Sequence, residues 1–71
     1  MIYYTKHAKK RMIQRNINRE QVENCIKNYQ VVHTDLKGKT RYIFSYSNGK
    51  NVKVVVEVKS PQYLKVITVE D

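Results

Sequence analysis

Apolar residues recur at two different periods along this chain, and the change falls near Tyr29. Before it the spacing is close to four. Thr5 is a good N-cap for a first helix that runs from Lys6 through Arg15 and stops at Asn16. At about 100° per residue, Ala8 and Met12 share one side of that helix, while His7, Arg11 and Arg15 run along the adjoining edge. Asn18, followed three residues later by Gln21, is a variant capping box that opens a second helix to about Tyr29. There Val22, Cys25, Ile26 and Tyr29 make an apolar side, and Arg19, Glu20, Glu23 and Lys27 take the opposite one.

Beyond Tyr29 the period falls to two, and β-branched and aromatic residues dominate. Strands are predicted over residues 30–35, 39–46, 51–59 and 63–69, with residues 1–4 as a further short one. The breaks between them are Leu36-Lys37-Gly38, Ser47-Asn48-Gly49-Lys50 and Ser60-Pro61-Gln62. Asn48-Gly49 is a strong hairpin signal, because both residues tolerate positive φ. Connections this short join antiparallel neighbours. Val52, Val54, Val56 and Val58 form one face of the segment 51–59, against Lys53, Val55, Glu57 and Lys59 on the other, so this strand should be central. The fold class expected is α+β: two N-terminal helices on one face of a four- to five-stranded antiparallel sheet, in a single domain over residues 1–71. The other sheet face stays open to water and carries Lys53, Glu57 and Lys59.

Charge changes the picture most. Fourteen Lys and Arg against six Asp and Glu give +8 over 71 residues, which points to a polyanionic partner. The excess is spread over the fold, at +5 in residues 1–29 and +3 in residues 30–71. Six tyrosines, Tyr3, Tyr4, Tyr29, Tyr42, Tyr46 and Tyr63, lie among these cations. Aromatic rings can stack on unpaired bases, so RNA or another single strand fits better than duplex groove reading. The alternative is that most of these tyrosines are half-buried strand residues and most of the lysines a solvated surface. No apolar run approaches the roughly 20 residues of a membrane span, and the opening Met1-Ile2-Tyr3-Tyr4 does not read as a signal peptide. A soluble, cytoplasmic protein with no membrane partner is expected. Its single cysteine, Cys25, fits a reducing compartment and reads as a small core residue.

The sharpest constellation is His7 with Arg11 and Arg15. Metal-free RNA cleavage needs a base for the 2′-hydroxyl, an acid for the leaving 5′-oxygen and cations around the phosphorane. Imidazole titrates near neutrality, which suits His7 to either proton transfer. Arg11, Arg15, Arg41, Lys53 and Lys65 could hold phosphate oxygens. Alternatively, the two helical arginines lay their stems over Met12 or pair with Glu20 and Glu23. His33 has no partner in the sequence and reads as an ordinary strand residue. Glu57 is either an ion-pair partner of Lys53 or Arg41, or a general base. Two His, one Cys and no paired carboxylates at ligand spacing predict no metal, and no Gly-rich phosphate loop is present, so no cofactor is expected.

The segment from His7 to Val22 resembles the H-A-x-x-R-M-x-x-R-x-I-x-x-E-x-V opening of a family of small bacterial and phage domains of unknown function. Gly38-Lys39-Thr40-Arg41-Tyr42, Val52-Lys53-Val54-Val55-Val56 and Leu64-Lys65-Val66-Ile67-Thr68 are similar to its strand blocks. That family resembles in turn the RelE/ParE-like toxins, a group that includes metal-independent ribonucleases acting on mRNA, often at the ribosome, and neutralised by a cognate antitoxin. The resemblance implies a RelE-like domain whose catalytic residues are His7, Arg11 and Arg15. Arg41, Lys53, Lys65 and Thr68 would then bind RNA, and an acidic antitoxin would be a partner. A non-catalytic module for nucleic acid or protein, on the same fold, is the rival expectation.

Overall fold

A computed structural model describes residues 1–71. Seven elements follow one another: β1 (Ile2–Tyr4), α1 (Lys6–Gln14), α2 (Arg19–Asn28), β2 (Val31–Thr34), β3 (Lys39–Ser45), β4 (Asn51–Ser60) and β5 (Tyr63–Glu70). Both helices begin where capping chemistry dictates. Thr5 Oγ1 accepts from the Ala8 amide at 3.0 Å, and Asn18 and Gln21 exchange side-chain to backbone bonds at 2.8 and 2.9 Å. Between the helices, Asn16 takes a left-handed conformation with φ of 54°. The amides of Asn16 and Ile17 bond back to the carbonyls of Ile13 and Met12 at 3.3 and 2.9 Å, closing α1 with a Schellman motif. Asn is one of few residues that adopt this backbone cheaply.

The five strands form one sheet in the order β1-β5-β4-β3-β2, so β4 is central as its valine pattern predicts. The pairing differs from the expectation at one edge. β2 through β5 form an antiparallel meander, but β1 lies parallel to β5, with Ile2 opposite Leu64 and Tyr4 opposite Val66, which makes the sheet mixed. Short connections dictate direction only between consecutive strands. The link from β1 passes through both helices, which frees its direction from that rule.

The helices cover one face. Tyr4, Ala8, Ile17, Val22, Cys25, Val52, Val54, Val56, Val66 and Val69 make the core, with Met12, Ile26, Tyr42 and Phe44 packed against it. Cys25 is fully buried under α2, its Sγ 3.3 Å from the Val52 carbonyl, and burial pushes its thiol up to about 11. Tyr4 ties β1 to α2 through a 3.1 Å bond from its hydroxyl to Glu23, with Arg19 lying 5.0 Å over its ring. Burial first, and Glu23 second, raise that hydroxyl to about 12.

Three details depart from the pattern. Val58 is 47% exposed, and it lies beyond Glu57, the last residue of β4 that pairs with β3. Tyr29 caps α2 half-exposed and meets Tyr42 at 5.1 Å between ring centres, so it belongs to the rim of the core. At the Asn48-Gly49 turn only Gly49 has positive φ, at 91°, while Asn48 Oδ1 accepts from the Lys50 amide at 3.0 Å. The hairpin therefore uses a longer loop than a two-residue turn. No helix is long and apolar enough to cross a membrane.

Candidate functional site

The uncovered face of the sheet is built by alternation. Residues adjacent to the buried valines point away from the helices, which lines up Lys53, Val55 and Glu57 on β4 with Arg41 and Lys39 on β3 and with Lys65, Thr68 and Glu70 on β5. One irregularity shapes this surface. The β4–β5 pairing steps from Val55–Thr68 to Val56–Val66, leaving Ile67 as an extra residue on β5. Such a bulge twists the strand and re-aims the side chains beyond it. Here it brings Thr68 and Glu70 onto the uncovered face, while Val69 stays in the core.

Arg41, Lys53, Val55, Thr68, Glu70 and Asp71 line a cleft of about 400 Å³ at this end of the sheet. The cleft joins two cations from the strands to the edge of α1. β1 stops at the level of Val66, and α1 packs against β5. Arg11 donates to Glu70 Oε1 through Nε at 3.2 Å and Nη2 at 2.5 Å. Arg15 lies 3.7 Å from Glu70 and 3.8 Å from Asp71. The hydrogen bond from Arg11 holds the Glu70 carboxyl below its ordinary value of 4.5, helped by the charges of Arg11, Arg15 and His7. His7 lies one helical turn before Arg11 on α1.

Thr68 adds an unusual feature. Its Oγ1 is shielded from solvent and has no hydrogen-bond partner, although it lines a polar cleft. A buried hydroxyl left without a partner is destabilising, so the wall of the cleft carries an unsatisfied polar group.

The predicted site residues thus divide. Arg11, Arg15, Arg41, Lys53 and Thr68 gather around Glu70 or its cleft, and His7 stands one turn before Arg11 on α1. Lys65 does not. It pairs across the sheet with Glu57 and with Tyr3, one register step further along β5 and outside the cleft lining. The helical arginines pair with Glu70 and Asp71, in place of Glu20 and Glu23. Glu57 pairs with Lys59, in place of Lys53 or Arg41, and that bond together with the charge of Lys59 pulls its carboxyl down. Glu70 is the member that the sequence did not reveal, because nothing in its spacing links it to a helix some 60 residues earlier. No group of three His, Cys, Asp or Glu side chains stands at metal-binding distance.

The model of one family, a domain of unknown function (DUF4258), matches residues 4–71. The chain belongs to this family. The DUF4258 match covers both helices and β2 to β5, so every residue of the cleft and of the arginine edge falls inside the family domain. Neither the curated proteins nor the solved structures yield a match to the chain.

The ion pair at the centre of this site has a pH signature. Glu70 is depressed in the folded chain, so its contribution to stability is present above the unfolded value and is lost as pH falls through the folded one. Glu70→Gln is expected to melt below the parent at about pH 7, and the gap should narrow steadily below about pH 4.5. A gap of constant size across that range, read by thermal melts, would show that the carboxylate is not held by Arg11 and Arg15.

Proposed function

We propose that this protein is a metal-independent endoribonuclease of the toxin type, acting in the cytoplasm on single-stranded mRNA, with RNA held on the uncovered sheet face. One observation carries it. A single cleft combines Arg41 and Lys53, an unpartnered Thr68 hydroxyl and the Glu70 carboxylate, which holds Arg11 on the same helix as His7. Cations there suit a phosphodiester that gains charge as it becomes five-coordinate. Arg11 is fixed by its bonds to Glu70, which lines the cleft.

The proton chemistry falls to His7. Glu70 is held below the usual carboxylate range and is a poor base near neutrality. His7 serves one of the two proton transfers, and solvent serves the other. The 2′-oxygen attacks phosphorus as its proton leaves, the bond to the 5′-oxygen breaks, and that oxygen takes up a proton. The products are a 2′,3′-cyclic phosphate and a 5′-hydroxyl. Two helices followed by a sheet is also the order of the RelE/ParE-like toxins, which supports the reading at the level of fold alone. An acidic antitoxin would then be the partner that neutralises the +8 surface.

A second reading has its own observation. Arg11 and Arg15 are already engaged by Glu70 and Asp71, which suits a module that binds RNA without cutting it. Incubation of the purified chain with single-stranded RNA in EDTA separates the two. The nuclease produces fragments with cyclic-phosphate ends. RNA that stays intact while bound, with affinity falling steeply with salt, sinks the nuclease proposal and leaves the binding module.

A further inference from the structure

The uncovered face holds a second cleft. His33, Thr34, Asp35, Lys39, Arg41 and Val55 line a space of about 350 Å³. Arg41 and Val55 also line the first cleft, so the two adjoin along a shared wall. The strand register shows how they connect. His33 lies opposite Arg41, Arg41 opposite Val55, and Val55 opposite Thr68, a line that crosses four strands at right angles. With neighbouring strands about 4.8 Å apart, the line from β2 to β5 is about 14 Å long. A stacked nucleotide rises about 3.4 Å, so this length accommodates several nucleotides of one strand.

The chemistry of the second cleft suits an anion. Neither Lys39 nor Arg41 is within ion-pair distance of a carboxylate. The one acid present, Asp35, faces its own turn: Oδ1 accepts the amides of Lys37 and Lys39 at 2.8 and 3.0 Å. Those bonds occupy the carboxylate locally and set the Gly38 turn, whose φ is 84°. Asp35 is thus a charged acceptor in the same cleft, but it is bonded to its own turn and forms no ion pair with His33, Lys39 or Arg41.

We propose that this second cleft is a subsite for a neighbouring phosphate of the same single-stranded RNA, so that the strand crosses the sheet perpendicular to the β-strands with Arg41 between two phosphates. The proposal rests on the RNA reading above and adds where the flanking nucleotides lie. A free anion would need only one such cleft. Two that share an arginine match the repeating charge of a polynucleotide.

The test measures binding of a labelled eight-nucleotide RNA to the full chain by fluorescence anisotropy over a range of salt. Lys39→Ala and the double variant His33→Ala with Lys39→Ala are compared with Lys59→Ala, which removes a charge on β4 outside both clefts. Lys39→Ala is expected to weaken binding about tenfold and to reduce the salt slope by about one, with a larger loss in the double variant. Lys59→Ala is expected to change affinity less than about threefold. Equal losses for Lys39→Ala and Lys59→Ala overturn the subsite in favour of diffuse charge. If Arg41→Ala and Lys53→Ala weaken binding while the Lys39 and His33 variants do not, the second cleft is rejected and the first stands. Failure of the parent chain to bind RNA overturns both.

Discussion

His7→Ala is expected to slow RNA cleavage by about 10² to 10⁴-fold, the range for loss of a positioned acid or base. Binding should change far less. His7 is exposed in the first turn of α1, and the cap that starts this helix is made by Thr5 and Ala8, so its removal leaves the helix intact. Phosphate contacts from Arg41 and Lys53 remain in the variant, so the affinity for uncut RNA should stay within a few-fold of the parent. Single-turnover cleavage with saturating protein isolates the chemical step from binding. A loss in rate with preserved affinity is the signature of proton transfer. If the variant cuts as fast as the parent, His7 has no part in the chemistry, and the proposal loses its proton-transfer group. If affinity falls in step with rate, His7 is a phosphate contact only.

The secondary structure was legible in the chain because local chemistry and burial agree. Thr5 and Asn18 set both helix starts, and the alternating valines from Val52 to Val56 identified β4 as the middle of the sheet. Long-range choices were not legible. Nothing local tells β1 to run parallel to β5, since the intervening helices permit either direction. The bulge at Ile67 is also silent in the sequence, where Leu64, Val66 and Thr68 continue one alternation without a break. That bulge puts Thr68 and Glu70 on the uncovered face, so half of the cleft depends on a feature that periodicity does not report.

The same limit explains the site residues. The edge formed by His7, Arg11 and Arg15 follows from helical spacing, but its partner does not. Glu70 becomes that partner because β1 is only three residues long, which leaves the end of β5 free for α1 to approach. His33 looked unpartnered because the residue opposite it, Arg41, is known only once the β2–β3 register is known. Composition gave the total charge, whereas the register decided which cations stand beside carboxylates and which stay free. Lys59 and the two helical arginines are paired, and Lys39 and Arg41 are not.

Two adjacent positions on β4 should separate fold from function. Val54 is fully buried, opposite Tyr42 and Val69, and Val54→Asp would place a carboxylate there with no cation or donor to receive it. Such a charge costs several kcal/mol, against a total stability of about 4 to 11 kcal/mol for a chain of this length. Val54→Asp is therefore expected to be unfolded by circular dichroism at about 25 °C. Val55→Asp places the same group one residue on, facing the other way, between Arg41 and Thr68 in the wall shared by the two clefts. There the carboxylate meets water and a guanidinium, so the chain should fold with a stability within about 1 kcal/mol of the parent. Its RNA affinity should nonetheless fall more than about tenfold, because the new charge neutralises Arg41 and repels phosphate. Both measurements come from one purified pair. A Val55→Asp chain that unfolds like its neighbour would mean that this face is covered and not open. A folded Val55→Asp chain that binds RNA as the parent does would remove RNA from the clefts altogether.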